Sequence, residues 1–69
     1  MTLDEYIALF AEEVAKQLPD GQAREVSGIL LERNPRRVFL VLDRLREAGS
    51  LHGTHVEQAL TDFYWDFCY

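Results

Sequence analysis

The sequence predicts an all-α fold, a small bundle of three to four short helices that pairs as a homodimer. Three observations predict it. Apolar residues recur at intervals of 3 and 4 through most of the chain, the spacing of one helical face. Residues between those runs suit helix ends: Asn34 can cap a helix, Pro35 fits a first turn, and Gly49 can take the left-handed backbone that closes one. Third, the helix between them is apolar on more than one side. Val38, Val41, Leu42 and Leu45 make its main face, while Phe39 and Leu40 fall off it. Such a helix is central in its fold or shared with a second chain.

At 69 residues the chain forms one domain, spanning 1–69. A chain this short buries only about 60% of its unfolded surface, so its core is marginal and dimerisation is a common remedy. The composition, 48% hydrophobic and 12% aromatic, is too apolar for a disordered tail. No apolar run approaches the roughly 20 residues that span a bilayer. The opening MTLDEYIALF is acidic where a secretory signal is basic, which implies a cytoplasmic protein. Cys68, the sole cysteine, cannot staple the fold and is expected to be a semi-exposed thiol without a role.

The first helix is expected over about 3–18, opened by Thr2 and Glu5 at capping-box spacing. Leu3, Ile7, Phe10, Val14 and Leu18 form its stripe, with Tyr6 and Ala11 on the shoulders. Leu9 lies among Glu5, Glu12, Glu13 and Lys16 and reads as exposed. Pro19-Asp20-Gly21 is turn chemistry. The second helix spans about 22–33, with Asp20 as cap and Ala23, Val26, Ile29, Leu30 and Arg33 on its inner side. Gly28 costs it about 1 kcal/mol in propensity. Close packing against a neighbouring helix is the expected compensation, with a local kink as the rival reading.

The third helix covers about 35–48. Arg36 and Arg37 in its first turn and Glu47 in its last oppose the macrodipole, each costing about 0.3–1 kcal/mol. Acids on the first helix or on a second chain are expected to offset them. Asp43 and Arg46 are spaced for a local pair. The fourth helix is expected over about 55–67, after a second capping-box spacing at Thr54 and Glu57. Val56, Leu60, Phe63 and Phe67 make its stripe, joined by Ala59 and Tyr64. Trp65 and Tyr69, spaced i, i+4, point to the opposite side.

The net charge of −5 is unevenly placed. Acids dominate both ends, and Arg24, Arg33, Arg36, Arg37, Arg44 and Arg46 fill the middle. That arrangement favours pairing within the chain or between subunits. Overall acidity weighs against non-specific binding to nucleic acid or to a membrane, which feeds on net positive charge.

Residues 23–51 resemble the core of a winged-helix or helix-turn-helix domain. The run Val38, Leu42, Leu45, Glu47-Ala48-Gly49, Leu51 is similar to the end of the recognition helix in many bacterial repressors. The resemblance implies a DNA-binding regulator whose Arg36, Arg37 and Arg44 touch phosphates. The chain departs from that pattern where bases would be read, because Phe39 and Leu40 stand there in place of polar side chains. No wing follows Leu51.

His52 and His55 form an HxxH spacing, but a zinc site needs three or four clustered ligands, so no metal is expected. There is no glycine-rich phosphate loop and no nucleophile elbow. No catalytic residue and no cofactor is therefore expected.

The positive signal is apolar surface left over. Phe39, Leu40, Trp65 and Tyr69 miss the main stripes, as does Leu9. Trp, Tyr and Arg are the residues most enriched at binding hot spots. The expectation is a non-catalytic protein-binding module with a contact patch of Phe39, Leu40, Trp65 and Tyr69, rimmed by Arg36, Arg37 and Arg44. Its partners would be a second copy of itself, with the third helix near the two-fold axis, and a heterologous protein. In size, charge and helical make-up the chain resembles small phage- or plasmid-encoded inhibitors, the anti-activators of host regulators such as quorum-sensing transcription factors. That resemblance implies a bacterial regulator as the partner and occlusion of its surface as the mechanism, and it transfers no functional residue. The rivals are a degenerate helix-turn-helix regulator and an antitoxin or assembly subunit.

Overall fold

A computed structural model describes residues 1–51, 53 and 55–69. Four α-helices and a π-helical end account for the secondary structure, and no strand occurs among the described residues. They are α1 (Leu3–Gln17), α2 (Asp20–Leu31), α3 (Pro35–Glu47), α4 (His55–Phe63) and the π-helical segment (Tyr64–Cys68). The all-α expectation holds, and each expected helix is present with its ends shifted by a few residues.

The ends follow local chemistry. Thr2 and Glu5 form the reciprocal capping box, with the Thr2 hydroxyl accepting from the Glu5 amide and the Glu5 carboxylate accepting from the Thr2 amide. Those bonds hold the Glu5 carboxyl below the usual carboxylate range. Asn34 accepts from the Arg37 amide at 3.4 Å, and Pro35 fills the first turn of α3. Gly49 has φ +81°, the Gly49 amide donates to the Arg46 carbonyl, and the Ser50 amide donates to the Leu45 carbonyl. Together these close α3 with a Schellman motif.

Several expectations are corrected. α2 opens at Asp20, two residues before the expected start, because Pro19 is extended and serves as the cap position without a side-chain bond. Asp20 is thus a first-turn acid and not the cap. Arg33 is not on the inner side of α2. Its φ of +56° takes the chain out of the helix in the left-handed region, and its guanidinium reaches the Asp4 carboxylate at 3.4 Å. Gly28 has open space around it: a Cβ built there meets nothing within 4 Å, so no close packing explains it. Leu9 is half-buried against the core: α1 packs on both α2 and α4, so its buried face is wider than one stripe. The capping pair involving Thr54 and the spacing involving His52 lie outside the described residues.

α3 is central, as its two-sided apolar pattern requires. It packs against α2, α4 and the π-helical segment, and it buries Val38, Leu42 and Leu45. Phe10, Val14, Leu51, Leu60 and Phe63 are fully enclosed beside them. The radius of gyration is 10.6 Å. A closed domain of this length measures roughly 11 Å.

Candidate partner-binding surface

The C-terminal end of the chain splits its aromatic residues between two sides. Phe63 and Phe67 turn inward and meet the α1 aromatics: Tyr6 lies 5.3 Å from Phe63 and 5.7 Å from Phe67, centroid to centroid. The Tyr6 hydroxyl donates to the Asp66 carboxylate at 2.7 Å, which turns that acid toward α1. Burial, and secondarily that bond, push the Tyr6 phenol up to about 12.

Tyr64, Trp65 and Tyr69 turn the other way. Trp65 and Tyr69 have centroids 4.7 Å apart, and Tyr64 lies 5.6 Å from Trp65. Phe39 of α3 joins this outer group at 5.1 Å from Tyr64. The π-helical turn carries it: the Tyr69 amide donates to the Tyr64 carbonyl at 2.8 Å, five residues back. Such turns are rare and occur often at functional sites.

Between α3 and this segment runs an open groove of about 310 Å³, lined by Arg36, Phe39, Leu40, Tyr64 and Cys68. Its walls are mostly hydrocarbon and ring. Leu40 is 58% exposed at its edge, Trp65 is 59% exposed and Tyr69 85%. Phe39 is half-buried and anchors the floor to the core. The Cys68 thiol donates to the Pro35 carbonyl at 3.5 Å. Burial pushes that thiol up, and the Arg36 guanidinium acts in the opposite direction.

Four expected contact residues, Phe39, Leu40, Trp65 and Tyr69, therefore lie on one strip, with Arg36 at its rim. Arg37 is exposed one residue further on. Arg44 points elsewhere, into a second groove of about 290 Å³ between α2 and α3, lined also by Gln22, Glu25, Val26, Ile29 and Val41. Tyr64 and Cys68 are additions to the expected site. Tyr64 reads from spacing as part of the inner stripe. The signal that finds both is their i, i+4 spacing alongside Trp65 and Tyr69.

The charges around the strip are uneven. α3 has no acid in its first turn, and among the described residues neither Arg36 nor Arg37 is paired with a carboxylate. The expected help from acids on α1 goes to Arg33 instead. At the other end Arg44 and Arg46 suit the dipole, and Arg46 bonds Asp43 as the spacing implies.

Among the described residues no three His, Cys, Asp or Glu side chains converge as metal ligands, and no helix is long and apolar enough to cross a membrane. Comparison with known proteins finds no matching family model, no similar curated protein and no similar solved structure.

Proposed function

We propose that the chain is a non-catalytic, cytoplasmic protein-binding module that inhibits a bacterial regulatory protein by covering its dimerisation or DNA-binding surface. The observation that carries this reading is the continuous strip of Leu40, Tyr64, Trp65 and Tyr69 over the half-buried Phe39. These residues are surplus to a core already closed by Val38, Leu42, Leu60 and Phe63. Large aromatics packed together at a surface, next to an arginine, are the make-up of binding hot spots.

The test is affinity capture from a bacterial lysate by the wild-type chain, Leu40→Glu and Trp65→Ala, with helical content followed by circular dichroism. One protein retained by wild type and lost from both variants, at unchanged helicity, is the expected result. Equal retention by all three chains rules the strip out.

A second reading, a helix-turn-helix DNA binder, draws on the three-residue connection between α2 and α3 and on the arginines Arg36, Arg37 and Arg44 along α3. Against it, α3 is followed by a helix and not by a wing. It requires a salt-dependent duplex affinity that Arg36→Ala and Arg37→Ala abolish.

A further inference from the structure

We infer that the groove between α3 and the π-helical segment takes an acidic protein segment, one that inserts a large apolar side chain between Leu40 and Tyr64 and sets a carboxylate against Arg36. This inference rests on the reading of the chain as a protein-binding module and names the chemistry of its partner.

Shape and charge both point there. The groove has about 310 Å³ of open space with predominantly apolar walls, enough for a large side chain. The charge facing it is positive. Arg36 lines it, and Arg37 stands one residue on, both without an acid partner among the described residues. Asp66, the acid of the π-helical segment, is held toward α1 by the Tyr6 hydroxyl. Asp43 is occupied by Arg46. An acidic chain thus presents a locally basic and apolar face, and the complementary surface is apolar and acidic. The two arginines also oppose the α3 dipole, a local cost that a bound carboxylate offsets.

The experiment selects a random peptide library on the immobilised full chain, then measures enriched peptides by fluorescence anisotropy against wild type, Arg36→Glu and Leu40→Glu. Arg36→Glu puts an acid in the first turn of α3, where the dipole welcomes it, so weakened binding there does not come from a lost helix. The expected peptides join Asp or Glu to a Leu, Phe or Trp, bind less tightly as salt rises, and lose about tenfold or more in affinity on either substitution. Enriched peptides without acidic excess, or with equal affinity for Arg36→Glu, overturn the inference. If such peptides still fail on Leu40→Glu, the strip remains a protein-binding face and only the acidic chemistry falls. If no enriched peptide depends on Leu40, the proposed function falls as well. A wild-type dimer on a sizing column that Leu40→Glu dissociates assigns the groove to a second copy and overturns the heterologous partner.

Discussion

Tyr6 shows what a single side chain does in a core this small. Its ring is 3% exposed and packs with Phe10, Phe63 and Phe67, while its hydroxyl ties α1 to Asp66 sixty residues later. The sequence shows the ring as a shoulder of the α1 stripe. It does not show the bond, because nothing local pairs residues so far apart. Tyr6→Phe keeps the ring contacts and loses the bond, so it should cost about 1 kcal/mol at neutral pH by chemical denaturation. The folded chain holds the phenol protonated up to about 12, against 10.0 when unperturbed. The stabilisation from this group is therefore complete below pH 10 and is lost as pH rises towards 12. A denaturation series across that range should show a fall in stability for wild type that is smaller in Tyr6→Phe. An identical fall in both assigns the alkaline loss to other groups.

At the scale of helices, two glycines make opposite predictions from the same substitution. A methyl group added at Gly28 or at Gly49 meets no atom within 4 Å, so packing does not separate them. Backbone conformation does. Gly28 is an ordinary helical residue in α2, and Gly28→Ala should stabilise by about 0.5–1 kcal/mol. Gly49, at φ +81°, holds the Schellman turn, and Gly49→Ala should destabilise by about 1–2 kcal/mol. Chemical denaturation of both variants checks the signs; the same sign for both contradicts the assignment.

The helix ends also show why some of the fold is legible. Thr2, Asn34, Pro35 and Gly49 carry their roles in short-range chemistry, and each acts as its neighbours imply. Gly28 and Leu9 depart from expectation because their surroundings depend on which helices pack around α2 and α1, information that periodicity along one helix lacks. Arg33 departs because arginine seldom leaves a helix through the left-handed region.

For the whole molecule, the separation of core from surface is what leaves an apolar strip for the proposed partner. Phe63 and Phe67 close the interior, whereas Tyr64, Trp65 and Tyr69 spread outward over Phe39 from the same short segment. Most of the strip is readable from residues that miss the stripes: Leu40, Trp65 and Tyr69 are exposed as their spacing implies. Its continuity is not, since it depends on α3 and the π-helical segment lying side by side. The same neighbourhood brings Tyr64 and Cys68 into the groove and sends Arg44 to another.

Cys68 offers the most direct measurement of the central claim, that this groove is where a partner protein sits. It is the only thiol in the chain, half-buried in the groove wall. Its alkylation rate should be followed with the purified chain alone and with a saturating amount of the protein that wild type captures. A partner seated in the groove predicts labelling slowed by about tenfold or more, with the free rate restored in Leu40→Glu. An unchanged rate at saturation would mean that the partner binds another face and that the strip is not the functional surface.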